Sequence, residues 1–365
     1  MSNQSLHLKE SINKPNEPVH RKTEVNYLIP VLIFFAIAII GVWYIKWSPY
    51  YQKAFVAASK HSIGASIISG KIASAPIPSW QTAWSYTASY FNSVWKAVIL
   101  GLLLGSLVQV LLPREWIKKA LGKTSFSSTL LGGFVAVPSM MCTCCAAPVA
   151  VGLRKSSASV GSSLAYWLAN PMLNPATIIF MGFVLSWKFA LLRVVAGIIL
   201  VFGIAYIANY LIKDEEVNDQ VISVAPEITT SGNFFKRWLK ALWPLILDTI
   251  PAYIVMVFLL GAIRAWLFPV ISPQSASSLS VIIFLAITGT LFIVPTAAEI
   301  PIVQTLMSFG LGVGPAVALI MTLPAISLPS LLIVKRAFST RILLFVTSSV
   351  ILVGIVSGLS ARLIF

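Results

Sequence analysis

The chain has 365 residues, of which 58% are hydrophobic and 10% charged, with a mean hydropathy of +0.88; that leaves too little polar surface to clothe a soluble globule of this size. A multi-pass membrane protein follows, and its long apolar runs, with no alternation of period two, specify an all-α bundle of transmembrane helices rather than a closed barrel. The net charge of +15 is spread over the loops rather than gathered on one face, which excludes nucleic acid as a partner and reads as cations flanking a lipid bilayer.

In chain order, residues 1–26 form a polar tail without a secretory signature, so the apolar run that follows is expected to stay attached as an anchor. Spans are expected at roughly 27–47, 93–113, 128–152, 158–182, 189–212, 242–267, 278–306, 311–334 and 342–364, about nine in all, each able to cross about 30 Å of hydrocarbon. Residues 48–92 are rich in Ser, Ala, Tyr and Trp and read as an interfacial segment with at most short helices, because no part is apolar for long enough to span. Together, 27–92 make an anchor and interfacial segment. Residues 93–212 form a first four-helix unit, 213–241 an acidic polar linker carrying Asp214, Glu215, Glu216, Asp219 and Glu227, and 242–365 a second four-helix unit.

The two units read as internal repeats. A shift of 153 positions superposes Pro148 on Pro301, Gly161 on Gly314, Ala165 on Ala318, Pro171 on Pro324 and Asn174 on Ser327. If every segment crosses fully the units run parallel; if one proline-broken segment in each re-enters, their orientation inverts. Charge does not choose between these. An N-terminus inside places Arg114, Lys118, Lys119, Lys123, Lys335, Arg336 and Arg341 inside as well, but leaves Lys46, Lys53, Lys60 and Lys71 outside.

All three cysteines, Cys142, Cys144 and Cys145, lie in one expected span between Pro138 and Pro148. Cys142 and Cys145 fall on one helix face, and Cys144 joins them only if the backbone unwinds. They are either inert, buried thiols or ligands for a thiophilic centre: a trivalent arsenical, or a soft metal. Proline inside a helix removes a donor and frees a carbonyl, so Pro138, Pro148, Pro171, Pro175, Pro295, Pro301, Pro324 and Pro329 are candidate hinges at matching places in both units. Asn170 and Asn174 stand four residues apart and are expected to line a pathway with Gln304 and Ser327. Glu299 and Asp248 are among the few acids in the expected hydrocarbon and are the candidate proton-coupling groups. Gly64 to Gly70-Lys71-Ile72 has the wrong spacing for a phosphate loop, and no enzyme or cofactor motif is present.

With these residues in view the chain resembles the ArsP-type predicted permeases, some of which are linked to efflux of organoarsenicals. The resemblance is carried by Val137-Pro138, Cys142-Thr-Cys144-Cys145-Ala-Ala-Pro148, Gly161, Asn170-Pro171 and Asn174-Pro175, and then by Pro295, Glu299-Ile-Pro301, Gln304, Gly310, Gly314 and Pro324-Ala-Ile-Ser327-Leu-Pro329. Members often carry a cysteine and a serine before the second-unit glutamate, where this chain has Thr296, Ala297 and Ala298. The resemblance implies a permease of the cell membrane that exports a small solute. Two other readings stand beside it. One is a membrane thiol relay through Cys142 and Cys145, which lacks a second thiol pair to pass electrons on. The other is a subunit that works as a homo-oligomer or beside a partner membrane subunit.

Overall fold

The computed structural model describes residues 28–68, 77–211, 233–269 and 277–365. The N-terminal tail, Gly70 and Lys71, and the acidic residues of the expected linker lie outside them. The described residues are helical, and seven segments are long and apolar enough to cross a membrane: Leu28–Lys60, Trp80–Leu111, Val160–Val184, Trp187–Leu211, Phe234–Leu267, Val313–Val334 and Thr340–Ile364.

The first segment joins α1 (Leu28–Val42) to α2 (Ser48–Lys60) through a π-helical turn at Trp43–Trp47, and lies at the rim with most of its apolar side chains exposed. Next comes α3 (Trp80–Leu111), started by a capping box in which Ser79 and Thr82 satisfy each other's backbone amides. Residues 48–92, expected to hold at most short helices, thus belong largely to two long ones. Their Ser and Tyr content hid this: Tyr50, Ser85 and Ser89 line a cavity, and Tyr86 and Tyr90 are buried against neighbouring helices.

Beyond the short surface helix α4 (Arg114–Leu121), the chain folds as α5 (Phe126–Ala136), α6 (Thr143–Lys155), α7 (Val160–Met172), α8 (Pro175–Val184), α9 (Trp187–Ile198) and, after a second π-helical turn, α10 (Ala205–Leu211). The later stretch has α11 (Phe234–Leu267), α12 (Leu279–Leu291), α13 (Glu299–Ser308), α14 (Val313–Ala325), α15 (Leu328–Val334) and α16 (Thr340–Ile364).

Contacts fix the direction of each element. Ser128 at the start of α5 donates to the Ala120 carbonyl, and the amide of Ser159, just before α7, donates to that of Leu121. The α5–α6 pair therefore leaves and returns to one end of the bundle, the α4 face. Ile282 at the start of α12 packs by Gly314 at the start of α14, while Gln304 of α13 donates to the carbonyl of His61, which ends α2. The α12–α13 pair thus leaves and returns at the opposite end, the His61 face. Two of the nine expected spans, 128–152 and 278–306, are these hairpins, broken at mid-depth by residues 137–142 and 292–298. Both breaks include a non-glycine residue with positive φ, Met140 at 49° and Ala297 at 69°.

Helices α7 and α8 cross as one interrupted segment from the α4 face to the His61 face, where the Phe183 carbonyl meets His61 Nδ1 at 2.7 Å; α14 and α15 cross in the other direction. The long helices α3 and α11 pack antiparallel, with Trp238 against Ser106 at one end and Trp80 against Phe258 at the other.

Close helix approach holds the first hairpin in place. A side chain on Gly101 would run into the carbonyl of Cys145, one on Gly105 into that of Pro148, and one on Gly152 into that of Gly105. Only glycine lets α3 and α6 backbones come this near. Gly105→Leu should lower the apparent melting temperature of the detergent-purified protein through a loss of about 1–3 kcal/mol. Gly203→Ala, whose added methyl meets nothing within 4 Å, should leave it unchanged within the error of the same thermal scan.

Candidate functional site

Four helix breaks meet at one depth, and each leaves backbone groups that hydrocarbon cannot satisfy. At the first, the Asn170 side-chain oxygen accepts from the Met141 amide at 3.1 Å and from the Ser139 hydroxyl, while its amide nitrogen donates to the Tyr166 carbonyl. Trp167 donates to the carbonyl of Thr143 and Trp47 to that of Pro138. At the second, Asn174 caps α8 by accepting from the Thr177 amide. Tyr86 donates to the Ile293 carbonyl at 2.6 Å in the third, where Lys46 Nζ also donates to Thr296 Oγ1 at 3.1 Å. At the fourth, Ser327 and Ser330 form a capping box that starts α15.

One guanidinium ties three of these breaks together. Arg193 of α9 is fully buried and donates to the carbonyls of Pro171 (2.6 Å), Met172 (3.2 Å) and Ile320 (3.3 Å), and to Glu299 Oε1 at 3.0 Å. Glu299 begins α13, so the ion pair links the later hairpin to α7, α9 and α14. Its second oxygen, Oε2, is buried without a partner, as is Asn174 Nδ2.

All three thiols are free and buried. Cys142 Sγ stands 2.9 Å from Cys145 Sγ, whereas Cys144 Sγ turns aside to Ser327 Oγ at 3.3 Å. Three converging sulfurs were the expectation, and the structure supplies two. The backbone does unwind, but it unwinds before Cys142, so Cys144 and Cys145 stay on the first turn of α6 and diverge as helix geometry requires. Among the described residues no group of three or more His, Cys, Asp or Glu side chains could hold a metal ion.

Two cavities adjoin at this level. The larger, about 580 Å³, lies toward the His61 face, with Lys46, Tyr50, Lys53, Ser85, Ser89, Ser93 and Arg264 on its walls and Pro295–Ala298 at its inner end. The smaller, about 10 Å³ and hence room for about one water, is walled by Cys142, Thr143, Pro171, Thr177, Val294, Glu299 and Pro324. Both are bordered by Pro295, Thr296 and Ala297.

The expected site residues therefore divide. Cys142 and Glu299 border the small chamber; Cys144 and Ser327, which meet each other, and Asn174, which meets Thr177, are not on its wall. Asn170 is spent on the first break. Gln304 is at the His61 face, holding the end of α2. Glu299 has a guanidinium beside it, so the lone carboxylate expected of a proton carrier is instead half of an ion pair. Asp248 is half of another, 2.8 Å from Arg336 toward the α4 face, and takes no part in the central cluster. Of the prolines, Pro138, Pro171, Pro295 and Pro324 edge the breaks; Pro175, Pro301 and Pro329 lie in first turns, where a missing donor costs nothing. Pro148 sits inside an unbroken α6 and is no hinge.

Sequence reasoning passed over Arg193 and took Lys46 for a loop cation. A charge deep inside an apolar run, as Arg193 is within residues 189–198, was the available signal for the first. The second was hidden by the unexpected length of the α1–α2 segment.

Interrupted helices that converge beneath a cavity are the architecture of a membrane permease. The chain belongs to the predicted permease family ArsP_1, whose model matches residues 30–170 and 79–362. It is 48% identical over 337 residues, 92% of this chain and 95% of the relative, to UPF0718 protein YraQ of Escherichia coli (strain K12). UPF0718 protein MJ0584 of Methanocaldococcus jannaschii is 22% identical over 287 residues, 61% of this chain and 79% of the relative. A Streptococcus mutans protein named "Putative two-component membrane permease complex subunit" is 22% identical over 267 residues, 70% of this chain and 87% of the relative. No solved structure matches the chain.

Removing one partner of a buried ion pair strands the other charge, at a cost of about 3–5 kcal/mol. Arg193→Met should accordingly unfold at much lower temperature than the parent or fail to accumulate in membranes, while the double variant Arg193→Met/Glu299→Met should recover much of the loss. Thermal unfolding followed by size-exclusion fluorescence would measure both.

Proposed function

We propose that this chain is a secondary transporter of the cell membrane, built from two inverted repeats, that exports a small thiophilic solute such as a trivalent arsenical. The observation that carries the reading is the small chamber, because all four breaks contribute to its wall and Cys142 sits on it. The opposite directions of the two hairpins, and of the two interrupted crossings, support inversion. A parallel arrangement would have sent both hairpins in from one face.

Cys142 and Cys145 act as the soft ligands, and Cys144 with Ser327 joins the two halves. The Arg193–Glu299 pair is a latch between halves whose contacts must be remade when access alternates. Cations crowd the α4 face, among them Arg114, Lys118, Lys119, Lys123, Lys335 and Arg336, which makes it the cytoplasmic one. The larger cavity then opens away from the cytoplasm. The name of the Streptococcus mutans relative adds the proposal that a partner membrane subunit works beside this chain.

A sensitive host carrying the chain should tolerate a higher dose of at least one soft metalloid or metal species than the same host without it, and Cys142→Ser should erase the gain while leaving protein abundance unchanged. If a panel that includes arsenite, methylated arsenite, antimonite and Cu(I) gives no shift, the soft-ligand reading falls. A thiol relay would show instead a reversible Cys142–Cys145 disulfide with no change in tolerance.

A further inference from the structure

We infer that the larger cavity is an anion site, and that the solute passing through it carries negative charge as an oxyanion of a group 15 or group 16 element. That the bound anion is cargo rests on the permease reading; that the cavity binds it does not.

The argument begins with charge. Lys46 and Arg264 both line the cavity, and each is buried, with only 5% of its surface exposed. Taking a cation out of water is costly unless a negative charge compensates it. Lys46 finds only the hydroxyls of Thr296 and Tyr50, at 3.1 and 3.4 Å. Arg264 stacks on the Tyr86 ring at 5.2 Å, and its Nε is buried with no hydrogen-bond partner. Lys53 adds a third cation at the rim.

Among the described residues no carboxylate side chain answers them. The described acids are Glu115, Asp248 and Glu299. Glu115 lies in α4 on the other face, and the remaining two are already paired with Arg336 and Arg193. The sequence of 69–76 and 270–276 contains no Asp or Glu. A bound anion supplies the charge that these side chains do not.

The wall favours oxygen. Ser85, Ser89 and Ser93 recur every four residues along α3 and so present hydroxyls on one face of that helix toward the cavity. Ser85 and Ser93 donate to the carbonyls of Thr82 and Ser89, so it is the N–H donors of the two cations that match an oxyanion, which is all acceptor. Pro295, Thr296 and Ala297 border both this cavity and the chamber that Cys142 lines, so an anion held here lies next to that thiol.

The test is isothermal titration calorimetry of the detergent-purified full chain near neutral pH in a chloride background, with sodium sulfate and sodium phosphate as the probes. At least one probe should bind saturably. Lys46→Gln and Arg264→Gln should each weaken that binding tenfold or more, Lys46→Arg should retain it, and Lys60→Gln, outside the cavity, should match the parent. Saturable probe binding by a chain that gives no tolerance shift for any species of the panel separates this inference from the soft-ligand reading, since it sinks only the latter. Absence of saturable binding for both probes, or parental affinity in either cavity variant, overturns the anion site. A variant that elutes as aggregate is replaced by the other, since each cation is argued from its own contacts.

Discussion

A helix broken in the middle of a bilayer leaves amides and carbonyls that no water can reach, and four such breaks meet in this protein. Every other feature of the centre follows from satisfying them. Arg193 takes three carbonyls and a carboxylate, Asn170 takes an amide and a hydroxyl, and Tyr86, Trp167 and Trp47 each take one carbonyl. These side chains come from helices that run past the breaks unbroken or from the break opposite. The irregular backbone is therefore a property of the assembled bundle. No single interrupted segment could hold its shape alone.

The membrane class, the four prolines that edge the breaks and the residence of the thiols near one of them were legible in the sequence because each rests on local chemistry: hydropathy, a missing donor, a cluster of soft side chains. Whether a proline-edged segment crosses or turns back was not legible. Residues 128–152 and 278–306 are as apolar and as long as true spans, and the turn is decided by glycine contacts and carbonyl partners contributed from far along the chain. The same holds for Glu299. Its counter-ion lies 106 positions away, so a reader of the sequence meets a lone acid where the fold has an ion pair. Periodicity failed over 48–92 for a related reason: a helix whose polar face lines a cavity has no long apolar run to display.

Charge and softness are arranged in series. A hydroxyl-rich, cationic cavity lies toward the His61 face, and the thiol pair lies below it, with Pro295–Ala297 between. On the proposed reading the two places act on different properties of a solute, its charge in the cavity and its softness at the thiols.

The π-helical turn at Trp43–Trp47 places two consecutive side chains on the tips of the two opposed hairpins, Lys46 on Thr296 and Trp47 on the carbonyl of Pro138. This rim segment has no counterpart elsewhere among the described helices, so it touches both hairpins from one side only. Because Lys46 also lines the larger cavity, the wall of that cavity and the relative placement of the two hairpin tips are set by the same turn, and neither can shift without the other.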